Sequence, residues 1–426
     1  MQVKHWCTRR ACFHGILFFL LLFSIFCYFL FTNLLPRARV YRDFFNFPMK
    51  KDGPPQIAFV CQPFAAGKCG LLWQKEYCEF HKKALKNPKN SKYLSFNCHS
   101  SGHGGLGNRI QGIVSLFFLA LLTDRVFLIN WIGPGIIADY LEPNQINWDL
   151  PLSRFGTFHK SFWGVIPEPG GYDHSVVKSE DAFSKWCLET DFESDVLQTR
   201  FEAVGTIFHF LQELYKNPYL RKQAAMKELP SSPSQMFGCG FQFLFRKSLA
   251  MVRALRQARL SLGRKPPLLG IHVRTSDHHW GSTNAFSYRS HNTTLFFLCA
   301  HEQSNFIRQR FGPSFNDLKW FLAADDKAVK TAAKKQFPDE IISLNLNPKH
   351  LAFGWQDSNT IRDVLLDIFL LAESDFLLLT FGSSFSRLVT AVGLHDENSI
   401  ADGERCLVNQ TALMTVMSRL QLSLEN

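Results

Sequence analysis

The second half of the chain alternates strand and helix patterns in a fixed order, and that order leaves few folds open. Leu268 to Val273 is an apolar run opened by Pro266-Pro267 and closed by Thr, Ser and Asp, the pattern of a buried strand. A helix over Leu295 to Arg310 follows, then strand Trp320 to Ala324, Asp325-Asp326 at the start of helix Ala328 to Phe337, and strand Ile341 to Leu344. Helix Thr360 to Glu373, strand Phe376 to Thr380 and helix Phe385 to Val392 complete the series. Ile361, Val364, Leu365, Ile368 and Leu371 recur at helical spacing and mark one apolar face. Strands and helices alternating in this way predict an α/β fold, a parallel sheet with helices on both faces.

The first half opens the same way. After a basic loop, Lys82 to Lys92, strand Tyr93 to Cys98 runs into the glycine-rich turn Ser101 to Ile110, then the apolar helix Gln111 to Leu122 and the strand Arg125 to Asn130. Gly102, Gly104 and Gly107 satisfy the dinucleotide fingerprint, which supports one reading, a membrane-anchored NAD(P)-dependent oxidoreductase. That fold wants Asp or Glu at the end of the second strand to bind a ribose hydroxyl, and here stands Asn130. A more general reading keeps the turn: without side chains at Gly105 and Gly107, backbone amides and a helix start approach an anion, with Asn108 and Arg109 beside it. A tight turn needing glycine for geometry alone is the alternative. Residues 131 to 245 read as the remainder of a first domain. Amphipathic Leu244 to Leu262 marks the boundary, giving domains at 61–245 and 246–426.

Ahead of both lies a segment of a different kind. From Ala11 to Pro36 there is no charged residue, so 13–35 is long enough to span a bilayer, with a short tail at 1–12 and a stem at 36–60. Sequons at Asn292-Thr-Thr294 and Asn409-Gln-Thr411 suggest that the body is lumenal. Eight cysteines follow the anchor, enough for up to four disulfides in an oxidising compartment, with the pairing open. The zinc alternative has only Cys98, His99 and His103 near one another, and no obvious fourth ligand. A net charge of +11 spread along the chain fits a nucleotide-handling surface rather than a nucleic-acid partner. These features predict a single-pass type II protein of the Golgi membrane.

Alternation along Leu268 to Val273, continued to Arg274, puts His272 and Arg274 on one face of the strand. A guanidinium at the carboxyl end of such a strand suits phosphate oxygens, and an Arg paired with Asp277 is the plainer reading. With these residues in view, the chain resembles the fucosyltransferases that use GDP-fucose. In its second half it is most similar to the core α1,6-fucosyltransferases. Three blocks carry the likeness: Gly-Ile-His-Val-Arg-Thr-Ser-Asp at 270–277, Phe-Leu-Ala-Ala-Asp-Asp at 321–326, and the long run from Leu365 to Ser384. Gly-Leu-Gly-Asn-Arg at 105–109 is more similar to plant-type fucosyltransferases.

The resemblance implies a GT-B-like architecture, two Rossmann-like domains facing across a cleft. GDP would sit in the C-terminal domain and a glycan or glycoprotein acceptor toward the N-terminal one. It implies no metal and no cofactor beyond the donor substrate. It further implies that His272 contacts guanine, Asp367 accepts from guanine N–H groups and Arg274 lies on the β-phosphate. Ser383, with the Ser384 and Phe385 amides, would close on the same phosphate. The structural alternatives are a core histidine, a helix-face carboxylate and an N-cap serine. Two departures leave the general base open: Thr275 stands where core enzymes carry a second Arg, and Ser282 where they carry a glutamate. Asp277 is the first candidate for the base, followed by His278 and His279. A catalytically silent, glycan-binding relative is the remaining alternative. The expected activity is inverting transfer of fucose from GDP-fucose to a glycan hydroxyl.

Overall fold

The computed structural model describes residues 61–62, 64, 66–98, 104–131, 133, 135–164, 174–177, 179–263, 268–275, 293–312, 315–346, 351, 359–395, 399–401 and 406–408. The anchor, the stem, both sequon asparagines, Gly102, His99, His103 and the segment holding Asp277, His278, His279 and Ser282 lie outside them. Among the described residues no helix is long and apolar enough to cross a membrane.

In chain order the first half forms α1 (Ala66–Cys69), α2 (Leu72–Lys86), β1 (Tyr93–Cys98), α3 (Leu106–Leu122), β2 (Val126–Trp131), β3 (Leu141–Pro143), β4 (His159–Gly164) and β5 (His174–Val177). Then come α4 (Glu180–Glu189), β6 (Phe201–Thr206), α5 (Leu211–Lys216), α6 (Arg221–Met226), α7 (Pro233–Leu244), β7 (Phe245–Lys247) and α8 (Leu249–Leu262). The second half forms β8 (Leu268–Val273), α9 (Thr293–Phe311), β9 (Lys319–Ala324), α10 (Lys327–Gln336), β10 (Ile341–Ile342) and α11 (Thr360–Ala372). It ends with β11 (Phe376–Thr380), α12 (Ser384–Gly393), β12 (Ser399–Ala401) and β13 (Cys406–Val408).

These strands build the α/β fold that the alternation predicts. One five-stranded sheet, β2-β1-β6-β4-β5, is parallel throughout. A six-stranded sheet, β10-β9-β8-β11-β12-β13, is parallel except for its last pair. Period-2 alternation sorts the second sheet's side chains between two cores. Leu269, Ile271 and Val273 of β8 and Trp320 and Leu322 of β9 pack with Phe296 and Ala300 of α9. Phe321, Ala323, Leu377 and Leu379 turn the other way, to Leu365 and Leu371 of α11. That second core runs on through α12, α7 and α3 to Leu94, Phe96 and Phe127 of the first sheet, so one apolar layer joins the two sheets. The helices meet closely at glycines. A Cβ on Gly238 would lie 2.7 Å from the Ala391 carbonyl oxygen, and one on Gly240 would lie 2.6 Å from Val114.

Several local assignments differ from the sequence reading, each for a physical reason. The basic stretch expected as a loop from Lys82 is helical to Lys86, because Trp73, Tyr77, His81 and Ala84 bury one face and leave the lysines on another. The helix expected from Gln111 starts at Leu106, since Gly105 in extended backbone (φ −74°, ψ 175°) serves as its N-cap. Leu244 to Leu262 is not one helix: β7 pairs with β3, and the Ser248 hydroxyl accepts from the Met251 amide at 3.1 Å to start α8. Residues 131 to 245 hold three of the first sheet's strands, masked in the sequence by aromatic-rich loops.

Three disulfides form among the described cysteines, Cys61–Cys78, Cys69–Cys239 and Cys299–Cys406, while Cys187 is a buried free thiol. No group of three or more metal-ligating His, Cys, Asp or Glu side chains gathers among the described residues.

Candidate functional site

The carboxyl ends of β8, β9 and β11 meet the start of α12. In register, His272 lies beside Ala323 on one side and Leu379 on the other, so the residues just past these strands share one corner. Thr380 closes it: its hydroxyl accepts from the Arg274 amide at 2.9 Å and donates to the His272 carbonyl at 2.9 Å. The chain then turns through Phe381 and Gly382, where φ of +72° is open to glycine, into α12. Ser383 occupies the N-cap, buried, with its hydroxyl making no capping bond to the helix.

Arg274 points to the opposite neighbour. Its Nη1 donates to Asp325 Oδ2 at 2.8 Å, and Asp325 Oδ1 accepts from both the Thr275 amide and the Thr275 hydroxyl at 2.9 Å. The sequence reading gave Asp325 and Asp326 to a helix start. Only Asp326 does that, accepting from the Ala328 amide at 2.7 Å, whereas Asp325 fixes the Arg274 side chain. Arg274 thus has a carboxylate partner at its strand end, though it is Asp325; Asp277 lies outside the described residues.

His272 is buried. Its Nδ1 lies 2.8 Å from the Ser386 hydroxyl and its ring stacks on Phe385 at 4.3 Å. Burial, then the Arg274 and Lys330 charges, push its pKa down to about 3, so the ring is neutral. Asp367 on α11 is lifted to about 6 by burial, against the pull of Lys330. Its Oδ2 stands 3.7 Å from Lys330 Nζ.

The glycine-rich turn joins this corner through its backbone. A Cβ on Gly107 would fall 2.6 Å from the Ser384 carbonyl and 2.8 Å from the Phe385 amide nitrogen, so the starts of α3 and α12 touch. Gly107 therefore lies against Ser384 and Phe385, with Gly105 two residues before it at the N-cap of α3. Asn108 folds back over Gly104, whose φ is +64°. Arg109 turns inward: it donates to the Gly104 carbonyl at 3.2 Å and the Gly133 carbonyl at 2.7 Å, and its guanidinium lies over the Trp131 ring. Its fully buried guanidinium ties the turn to β2, in place of the ligand-facing position expected from the sequence. At the end of β2, Asn130 donates to Asn97 Oδ1 at 2.6 Å, so an amide pair occupies the position that a dinucleotide site gives to a ribose-binding acid.

Sequence reasoning missed Thr380, Ser386, Asp325's role and Lys330. Thr380 and Ser386 stand inside the run from Leu365 onward, and only the β8–β11 pairing shows that they face His272 and Arg274.

Residues 222–393 match the family described as alpha-(1,6)-fucosyltransferase N- and catalytic domains. Over that stretch the chain is similar to this fucosyltransferase family. Every residue of the β8–β9–β11 corner and of α12 lies inside the matched stretch. A mutant of Arabidopsis thaliana FUT1 in complex with GDP shares its fold, with a TM-score of 0.55 and 15% identity, over 78% of this chain and 80% of that one. NodZ alpha-1,6-fucosyltransferase soaked with GDP-fucose aligns at a TM-score of 0.45 and 13% identity, over 73% of this chain and 94% of that one. NodZ from Bradyrhizobium gives 0.43 at 13%, with the same coverage of 73% and 94%.

Three histidines whose rings are withdrawn from water shape the protein's response to acid. Burial holds His81 down to about 4 and both His209 and His272 to about 3, from an ordinary 6.5. Between pH 6.5 and these values the unfolded chain binds protons that the folded chain refuses, so stability falls as pH falls. Asp367, raised from 3.8 to about 6, works in the opposite sense, as do Asp139 and Asp149, whose carboxyls burial also raises. The melting temperature is therefore expected to drop steadily from pH 7 to pH 5, at up to about 1.4 kcal/mol per pH unit for each histidine. A flat profile over that range contradicts the buried-neutral assignment.

Proposed function

We propose that this protein is a fucosyltransferase that moves fucose from GDP-fucose to a glycan hydroxyl with inversion, without a metal ion. In this reading it is a single-pass type II protein of the Golgi membrane, with residues 13–35 as anchor and 36–60 as stem. Residues 61–245 form the acceptor-side domain and 246–426 the GDP-sugar domain of a GT-B arrangement. The observation that carries it is the corner itself: Thr380 links the Arg274 backbone to the turn into α12, and Gly107 brings the glycine-rich turn against Ser384 and Phe385. In this reading the Arg274 guanidinium and the two helix starts stabilise the charge that a departing diphosphate develops, the task a divalent ion performs in other glycosyltransferases. Asp325 holds the guanidinium in place before the donor arrives, so little reorganisation is needed during transfer.

His272 and Asp367 take the guanine end. An ionised carboxylate accepts from both N1–H and N2–H2, which adenine cannot match. Asp277, with His278 and His279 after it, is assigned the acceptor proton, since it follows Arg274 by three residues.

The direct test offers the full-length protein in detergent GDP-fucose, GDP-mannose and UDP-sugars, with a glycan panel, with and without chelator. Transfer from GDP-fucose alone, undiminished by chelator, is expected. Turnover only with a UDP-sugar overturns the donor assignment, and GDP binding without transfer to any glycan points to a silent, glycan-binding relative.

A further inference from the structure

The turn from β9 into α10 carries a second charged residue that the phosphate site does not use. Lys330 lies in the first turns of α10 with its side chain 7% exposed, and its Nζ has no hydrogen-bond partner among the described residues. Burying an ammonium costs free energy unless a counter-charge compensates. The counter-charge present is Asp367, 14% exposed, whose Oδ1 also lacks a partner. At 3.7 Å the two are held close without being hydrogen-bonded. Among the described residues, the other charged groups around this pair are Asp363 on the same helix as Asp367, itself paired with Arg362, and, on the His272 side, Arg274. Asp363 adds negative charge and so leaves Lys330 as the cation that offsets the burial of Asp367.

We propose that Lys330 is a positioning residue for nucleotide recognition, the counter-ion that keeps Asp367 ionised so that it can accept the N–H edge of a guanine. This rests on the guanine role given to Asp367 under Proposed function. The single turn Asp325 to Lys330 then supports both ends of the nucleotide, with Asp325 holding the phosphate-side arginine and Lys330 the base-side carboxylate. A protonated Asp367 offers one acceptor fewer and a donor where guanine also donates, so GDP binds the ionised form. In the native protein the affinity is expected to fall below about pH 6, where burial places the carboxyl's titration. Without the ammonium the burial is unopposed, and the fall begins at higher pH.

The test is GDP affinity by calorimetry from pH 5 to 8.5 on the full-length protein. Lys330→Met is expected to weaken binding about tenfold at pH 6 for each unit by which the Asp367 titration moves, and to recover wild-type affinity near pH 8.5. Lys330→Arg keeps the wild-type profile. The double variant Lys330→Met with Asp367→Asn removes both buried charges, folds, and loses the pH dependence. A Lys330→Met profile that keeps the wild-type midpoint, or is weakened equally at every pH, overturns the proposal. If Lys330→Met does not fold, the Lys330→Arg and double-variant profiles decide it. Asp367→Asn that still prefers GDP to ADP and IDP as the wild type does defeats the guanine role itself, a separate failure.

Discussion

Arg274→Lys is expected to cut fucose transfer by about 10²-fold, and Arg274→Ala by about 10²–10³-fold, the usual cost of losing one oriented donor to a developing anion. Lysine keeps the charge but replaces a planar fork with a point, so it neither satisfies Asp325 in the same way nor reaches phosphate oxygens with the same geometry. The two variants differ in stability. Arg274 and Asp325 are 15% and 9% exposed, and removing one partner of such a pair leaves a buried charge that costs about 3 kcal/mol or more. Arg274→Ala is therefore expected to lower the melting temperature as well as turnover. Thermal melts beside steady-state kinetics separate the effects, because Arg274→Lys keeps Asp325 compensated. Turnover of Arg274→Lys within twofold of wild type refutes the phosphate role.

Replacing both Cys69 and Cys239 with Ala is expected to lower stability by about 2–5 kcal/mol, read as a shift in the denaturation midpoint. This disulfide closes 170 residues and is the longest-range covalent tie among those described. It also fastens α1 to α7, and α7 packs on α12 where Gly238 meets Ala391. Lys68 of α1 donates to the Leu394 carbonyl at 2.9 Å, just past the end of α12. Loosening this clamp therefore reaches the helix whose first turn holds Ser383, and GDP affinity is expected to fall with stability. Cys61→Ala with Cys78→Ala closes only 17 residues and is expected to cost less. A midpoint unmoved by loss of Cys69 and Cys239 contradicts the clamp.

Much of the second sheet was legible because its strands are buried on both faces and its helices on one, so periodicity survives in the sequence. The same alternation put His272 and Arg274 on one side of β8. The glycine-rich turn was legible as a close backbone approach, but its partner was not: nothing local says that Gly107 abuts Ser384, over 270 residues away. Arg109 looked like a ligand residue because arginine beside glycines usually faces out, and only the folded position of Gly133 supplies the carbonyl that turns it inward. Asp325 read as one of two helix-start acids, since the register of β8 on β9 that places it beside Arg274 is a tertiary fact. Lys330 stands among the lysines of a basic, amphipathic helix and reads as solvated until Asp367 is brought against it.

The central claim, that the tip of β8 and the start of α12 grip one nucleotide, is tested most directly by hydrogen exchange on the full-length protein with and without GDP. GDP is expected to slow exchange together at residues 272–275 and at the first amides of α12, Ser384 to Arg387, with 105–109 following through the Gly107 contact. Protection confined to the first sheet, or absent from either of the two segments, contradicts the account.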